Sequence, residues 1–266
     1  MGLALENFVN VAEYGAKGDG VHDDTEAIND CIADNYGKTI NFGSGTYIIT
    51  NSINLPFETD KKVSINGNGA IIKTIGDFGC VFDVGKKLRS DINNNNVGFP
   101  SYVQDLTIDA SESNIDYAFD IETGFKDFKI KNCKTYRTIN GIRIGENNSS
   151  PNDTFIEDCL IYGKGSEHYS TGIISNATDN NIINTRIYGF RKGFEVNGYI
   201  TINQCHVLLR WEEQTTENFD PYERNSELFN EHYEKTCFAK IEADCKIMNC
   251  YCDSTYKFIE DDSKGR

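Results

Sequence analysis

The sequence predicts an all-β fold, a single-stranded β-helix whose chain coils along one axis behind a short N-terminal capping helix. The first observation is a recurring phrase with an isoleucine, whose successive positions lie 26, 26, 20 and 45 residues apart. A period in the twenties with alternating apolar residues indicates one coil per repeat. The longer last step predicts two coils, one of them distorted by an insertion. These isoleucines are Ile130, Ile156, Ile182, Ile202 and Ile247.

A second phrase alternates with the first and supports the same fold. It occupies residues 118–121, 141–144, 172–175 and 193–196, each time with isoleucine or phenylalanine at its second position. One coil cannot bury its own apolar side, but stacked coils form a continuous core. A β-sandwich is the alternative architecture, although sandwich strands do not repeat a two-phrase motif at this spacing.

Residues 1–50 are predicted to form an N-terminal cap. Asp23 is expected to be the N-cap of a short helix, and Glu26 to complete a capping box three residues later. The glycine-rich residues 14–20 predict a loop before the helix, and residues 39–42 and 46–49 predict strands after it. The apolar face of the helix consists of Ala27, Ile28, Cys31 and Ile32.

Residues 51–266 are predicted to form the β-helix itself, with an insertion at about residues 206–235. Cysteine follows Asn, Asp or Gln in the first phrase of several repeats, which favours a stack of small, reduced, buried thiols over disulfides. No metal site is expected, because the pair Cys250 and Cys252 and the scattered histidines lack the paired spacing of zinc ligands. The stacked thiols are Cys133, Cys159, Cys205 and Cys250.

The charge of the chain limits its partners. It has 41 acidic and 26 basic residues, a formal net charge of −15. Such a surface repels the phosphates of nucleic acids and anionic lipids, so neither is an expected partner. No apolar run approaches the length of roughly 18 residues that a membrane span needs, and the N-terminus does not read as a signal peptide.

The opening of the chain resembles a known module. Residues 11–28, which contain Tyr14-Gly15-Ala16-Lys17-Gly18-Asp19-Gly20, and residues 45–48 are similar to the N-terminal module of the pectate-lyase-like superfamily. Phage tail spikes, polygalacturonases and mannuronan epimerases share this opening. The resemblance implies a right-handed parallel β-helix. It implies no activity, because the shared module caps the helix and carries no chemistry.

The residues around the second phrase differ from those of the enzymes in this superfamily. Polygalacturonases carry their catalytic acids just before the equivalent strand, where this chain has Asn140, Thr171 and Lys192. Epimerases carry Asp-Pro-His-Glu, whereas this chain has Tyr222 in place of the histidine. The remaining resemblance is to phage tail spikes and appendages, which implies binding, and often cleavage, of host surface polysaccharide by a homotrimer.

Carboxylates on the outside of the second phrase are the candidate catalytic residues. Asp120 and Glu122 share a face at about 6.6 Å, a separation suited to an inverting glycoside hydrolase. Glu195 lies about 14 Å from Asp120 if coils are about 4.8 Å apart, which is too far to flank one bond. Arg143, one coil along, is expected to hold a substrate anion or keep one acid ionised, with Lys192 as a further substrate-binding residue. Alternatively, these side chains are solvated strand residues.

The predicted insertion is the second candidate site. It contains Trp211, the only tryptophan, together with Tyr222 and Arg210. Aromatic faces stack on sugar rings, and long loops on rigid scaffolds often carry function. Alternatively, the insertion is a lid or helix that covers the core.

These features favour a protein that binds and degrades a polysaccharide, located in a phage tail or outside the cell. A non-catalytic receptor-binding or structural virion module is the first alternative. A free-standing bacterial lyase is the second, and that enzyme would need a Lys, Arg or Tyr base and often Ca²⁺. Apart from this Ca²⁺, no cofactor is expected.

Overall fold

In the computed structural model the chain is a right-handed parallel β-helix, which confirms the predicted fold class. The structure describes residues 8–55, 64–85, 101–121, 127–145, 153–164, 170–208, 236–253 and 257–261. Within these ranges, no helix is long and apolar enough to cross a membrane.

The strands are short, as a coiled chain requires. The cap contains a 3-10 helix, Val11–Tyr14, and the helix α1, Thr25–Asp34. The strands are β1 Phe8–Asn10, β2 Asp19–Asp23, β3 Thr39–Asn41, β4 Thr46–Ile49, β5 Ile53–Leu55, β6 Ser64–Thr74, β7 Phe78–Val84, β8 Tyr102–Asp109, β9 Ile115–Ile121, β10 Lys129–Lys131, β11 Lys134–Thr138, β12 Ile142–Ile144, β13 Phe155–Glu157, β14 Leu160–Gly163, β15 Thr171–Ser175, β16 Asn180–Ile183, β17 Arg186–Tyr188, β18 Lys192–Val196, β19 Ile200–Asn203, β20 His206–Leu208, β21 Cys237–Ile241, β22 Cys245–Met248, β23 Tyr251–Asp253 and β24 Lys257–Asp261.

Each coil contributes strands to two parallel sheets. Sheet B has the order β24-β21-β18-β15-β12-β9-β7-β5. Sheet A has two arms that diverge at β8: the first arm is β10, β13, β16, β19 and β22, and the second arm is β11, β14, β17, β20 and β23. The chain runs from sheet B to the first arm, then to the second arm and back to sheet B. The core lies between these three faces.

The isoleucines of the first phrase lie in register along the first arm, from Ile130 to Ile247. Ile202 pairs directly with Ile247, so the step of 45 residues is one coil and not the predicted two. Residues 206–208 form β20 and pair with β23, so they are not part of the insertion. The extra residues of this coil, 209–235, lie outside the described residues.

The bend between the two arms has the same geometry in successive coils. Asn132, Asp158 and Asn184 have φ angles of 50°, 56° and 47°, a left-handed conformation that Asn and Asp tolerate better than most residues. The residues that follow these bends, Cys133, Cys159 and Thr185, are buried. Cys133, for example, donates to the carbonyl of Val103 one coil away at 3.6 Å. All nine cysteines are free; of the predicted stack, Cys133, Cys159 and Cys205 are buried as expected, whereas Cys250 is only half-buried.

The glycines of the second phrase lie where sheet B approaches the second arm. A Cβ on Gly172 would lie 2.3 Å from Cγ2 of Ile187, and one on Gly193 would lie 2.7 Å from Cγ2 of Val207. Both distances are shorter than any real carbon contact, so only glycine fits. At these close approaches, β15 and β18 pack directly against the side chains of the second arm.

The helix of the cap is confirmed, but its predicted capping box is wrong. Ile28, Cys31 and Ile32 are buried as expected. The N-cap is Asp24 and not Asp23, and it makes no side-chain capping bond. Its carboxylate instead accepts hydrogen bonds from the backbone amides of residues 17 and 18, at 2.6 and 3.1 Å. The Asp24 carboxylate therefore binds the loop that precedes the helix, and it is not available to cap the first turn of the helix.

Candidate functional site

The outward residues at the centre of sheet B form a single column, one residue per coil. Strand register aligns Asp120 with Arg143, and it aligns Ile174 with Glu195. The candidates Asp120, Arg143 and Glu195 therefore share one face, with three strand steps between the two acids. We call this set the sheet B column: Asn54, Asp83, Asp120, Arg143, Ile174, Glu195, Lys240 and Glu260.

Asp120 and Arg143 form a bidentate ion pair. Nε and Nη2 of Arg143 donate to the two carboxylate oxygens of Asp120, at 2.7 and 2.5 Å. The Asp120 side chain is 4% exposed and that of Arg143 is 21% exposed. An outward residue of an open sheet would be solvated, so the alternative of a solvated strand residue does not describe Asp120. The guanidinium supplies the charge that a buried carboxylate requires.

Tyr117 packs on the same pair. The Arg143 guanidinium carbon lies 4.7 Å from the centre of the Tyr117 ring, a cation–π distance. Burial raises the pKa of the Tyr117 hydroxyl, while the positive charge of Arg143 opposes that shift. Tyr117 is therefore a neutral hydrogen-bond donor at neutral pH, and it holds the guanidinium over Asp120.

Asp83 is a member of the site that sequence reasoning missed. It pairs in register with Asp120 on the neighbouring coil, and its side chain is half-buried. Adjacent strands are about 4.8 Å apart, so two aspartates lie side by side on neighbouring coils. Phe82 and Phe119 stack beneath them at 4.9 Å. Residues 82–84, Phe-Asp-Val, match Phe-Asp-Ile at 119–121, and this likeness could have revealed Asp83.

Glu195 and Lys192 form a separate pair further along sheet B. Lys192 Nζ donates to Glu195 Oε2 at 2.7 Å, and both side chains are about one quarter exposed. Ile174 lies between this pair and Arg143 in the column. Glu195 thus neutralises Lys192, and its negative charge also contributes to the raised pKa of Tyr117 in the Asp120 cluster.

The other predicted site residues lie outside the described residues. They are Glu122, Arg210, Trp211 and Tyr222. The pairing of Asp120 with Glu122 and the sugar-binding role of the insertion therefore stay predictions.

The described residues of the Asp120 cluster do not suit a calcium ion. Calcium takes six to eight oxygen ligands, but both carboxylate oxygens of Asp120 already accept from Arg143. In the described part of the chain, no group of three His, Cys, Asp or Glu side chains is placed to hold a metal ion. Calcium stays a prediction that belongs to the lyase alternative.

Comparison with known families and structures agrees with this fold. Residues 8–214 match the family described as rhamnogalacturonase A/epimerase, pectate lyase-like. No curated protein sequence matches the chain. WceF of Pantoea stewartii, titled a glycan biofilm modifying enzyme with a bacteriophage tailspike-like parallel β-helix fold, is 11% identical over 100% of this chain and 40% of its own, with a TM-score of 0.51.

Two phage proteins are also similar in structure. The N-terminal fragment of gene product 12 of bacteriophage phi29 is 18% identical, over 95% of this chain and 42% of that one, with a TM-score of 0.48. The phiAB6 tailspike, solved with oligosaccharides of an Acinetobacter baumannii surface polysaccharide, is 14% identical over 92% and 47%, with a TM-score of 0.43. The chain spans less than half the length of these two proteins.

Proposed function

Because the chain belongs to the rhamnogalacturonase A/epimerase, pectate lyase-like family, we propose that it binds a polysaccharide on the outer face of sheet B and hydrolyses it at Asp83 and Asp120. The observation that carries this proposal is the register pairing of two aspartates on neighbouring coils, one of them ion-paired with Arg143. Carboxylate pairs of this kind perform glycoside hydrolysis.

The shape of the sheet B column suits an extended glycan. Its positions repeat once per coil, about 4.8 Å apart, so successive sugars meet similar surroundings. Ile174 offers an apolar contact between the Asp120 cluster and the pair of Lys192 with Glu195. Arg143 and Lys192 are each neutralised by a carboxylate, so this face favours a neutral sugar at the cleavage point over a uronic acid.

Asp83 and Asp120 have the two roles that a retaining hydrolase needs: Asp83 is the acid and base, and Asp120 is the nucleophile. Retaining enzymes have their carboxyl groups about 5–5.5 Å apart, which adjacent coils can provide. Protonated Asp83 gives its proton to the glycosidic oxygen as that bond breaks, and the carboxylate of Asp120 bonds to the anomeric carbon. Water then attacks that carbon, Asp83 takes the proton of the water, and the ester bond to Asp120 breaks. Arg143 orients the Asp120 carboxylate.

The pair predicted from the sequence, Asp120 with Glu122, has a different stereochemical outcome. Its separation of about 6.6 Å leaves room for water and would invert the anomeric centre. The configuration of the first product, followed by NMR, therefore distinguishes the two pairs in the unmodified protein. Retention supports Asp83, and inversion excludes it as the partner of Asp120.

A set of variants tests the same assignment. Reducing-end release from a panel of bacterial surface polysaccharides is measured for Asp83→Asn, Asp120→Asn and Glu122→Gln, with Glu260→Gln as a control in the same column. We expect Asp83→Asn and Asp120→Asn to lose about 100-fold or more, the size of an acid–base contribution. Glu122→Gln and Glu260→Gln should keep their activity. Full activity in Asp83→Asn would refute the proposed pair.

A non-catalytic binding module is the second candidate function, and one observation favours it. Asp120 is 4% exposed and both its oxygens bind Arg143, so a substrate must displace the guanidinium before it can reach the carboxylate. A glycan array combined with product analysis separates the two candidates. Binding without any product supports the module, whereas unsaturated product ends would indicate a lyase.

The place of the protein in a phage tail, and its assembly as a homotrimer, are part of this proposal. Sedimentation equilibrium would measure the oligomeric state directly. Tail genes beside its own gene would support the virion location.

A further inference from the structure

A continuous ladder of aromatic rings runs along the outside of the second arm, on a different face from the sheet B column. Neighbouring ring centres are 6.2, 6.0, 5.6 and 4.0 Å apart. The last two rings are stacked, with 20° between their planes. We call this set the aromatic ladder: Tyr136, Tyr162, Tyr188, His206 and Tyr251.

Strand register places these rings on consecutive coils. Tyr136, Tyr162 and Tyr188 are register partners. Tyr188 pairs with Leu208, so His206 and its own partner Tyr251 lie two residues along the strand from the tyrosine column, in register with Arg186. The inward positions of the same strands hold buried residues such as Ile161 and Ile187. The ladder therefore faces away from the core, and core packing does not account for it.

Two exposed cations lie beside the ladder. Leu160 pairs in register with Lys134 on one neighbouring strand and with Arg186 on the other. The two cations are therefore two coils apart, and their backbones are separated by about 9.6 Å at the usual strand spacing. Neither forms an ion pair with a described residue. The chain has a net charge of −15, and two acids also lie at the ends of the ladder: Asp109 pairs in register with Tyr136, and Asp253 lies 3.0 Å from His206.

We propose that the aromatic ladder is a second polysaccharide-binding site, which takes a linear acidic glycan lying along the helix axis. Apolar faces of pyranose rings stack on aromatic rings, and tyrosine hydroxyls both donate to and accept from sugar hydroxyls. Lys134 and Arg186 pair with carboxylates of the glycan. With one sugar per coil, their spacing selects a chain in which every second sugar is acidic.

This site is independent of the proposed cleavage in sheet B. A site that holds a long chain at one face raises its effective concentration at the other, which assists a protein that degrades polymers. Loss of the ladder should therefore weaken binding of long acidic chains without changing the turnover of short neutral oligosaccharides.

The test measures binding of hyaluronan oligosaccharides, in which every second sugar carries a carboxylate, by calorimetry on the full chain. The double variant Lys134→Glu with Arg186→Glu should lose about ten-fold or more in affinity, since two charge-assisted contacts become repulsive. Lys246→Glu is the control, because Lys246 is exposed on the first arm. Equal affinity in the double variant and the control would overturn the proposal.

A second variant tests the rings. Tyr251→Ala removes the most exposed ring, which is 54% exposed, so the fold should tolerate it. It should weaken binding of hyaluronan by about ten-fold, within the range of one lost stacking contact. If hyaluronan does not bind and Tyr251→Ala instead shifts the oligomeric state in sedimentation equilibrium, the ladder is a contact between copies of the chain and the proposal is wrong. Failure of cleavage at Asp83 would leave these binding results unaffected.

Discussion

Replacing Arg143 with methionine should destabilise the protein strongly, because it leaves the carboxylate of Asp120 buried without its partner. The two side chains form a bidentate pair, and Asp120 is 4% exposed. Methionine keeps much of the apolar stem of arginine, so the change removes mainly the charge and its hydrogen bonds. The cation–π contact with Tyr117 is lost as well.

The size of the effect follows from burial. Breaking a buried ion pair by removing one partner costs about 3–5 kcal/mol. Arg143 is itself 21% exposed, so water partly solvates the position that the guanidinium leaves. We therefore expect a loss at the lower end of this range, about 3 kcal/mol. For a chain of this size that corresponds to a fall in Tm of about 6–12 °C.

Chemical unfolding followed by circular dichroism measures this change. The double variant Asp120→Asn with Arg143→Met should recover part of the lost stability, because no unpaired charge remains. Lys73→Met is the control: its ion pair with Glu112 is 28% and 60% exposed and should contribute less than about 1 kcal/mol. If Arg143→Met loses no more than Lys73→Met, the Asp120 pair is not the buried charge cluster described above.

Three further predictions test other parts of the structure. Gly172→Ala should destabilise the fold by about 1–3 kcal/mol in chemical unfolding, since its Cβ would meet Ile187, whereas Gly79→Ala has open space around its Cβ and should be neutral. A hydrogen bond from the Cys205 thiol lowers the pKa of Cys250, so Cys205→Ala should move the alkylation of Cys250 by iodoacetamide to higher pH. Mass spectrometry measures the extent of alkylation at each pH. An unchanged pH dependence of alkylation would contradict this hydrogen bond. Polysaccharide hydrolysis should survive EDTA, and its loss would favour a calcium-dependent lyase.

The repeats of the sequence predicted the interior of the molecule well. Ile130 and Ile156 recur because every coil must fill the same interior position, and Cys133 and Cys159 recur for the same reason. The long step before Ile247 was misjudged, since residue spacing does not distinguish an added coil from a longer loop within one coil. Only strand pairing shows that this step is a single coil.

The candidate site was predicted in part. Asp120 and Arg143 were identified as outward neighbours, but their ion pair depends on side-chain geometry that a pattern does not contain. Asp83 was missed because residues 78–84 precede the first repeat in which the two phrases alternate. The aromatic ladder was also missed, although Tyr136, Tyr162 and Tyr188 recur every 26 residues.

By itself, the sequence determined the coiled architecture and the residues that fill its interior, because each interior position faces the same packing constraint in every coil. The tertiary structure decided which outward residues are neighbours, including the register pair of Asp83 with Asp120 and the ring contact of Tyr188 with His206. Outward contacts depend on strand register and on the length of each connecting loop. Those lengths differ from coil to coil, so residue spacing alone could not predict the contacts.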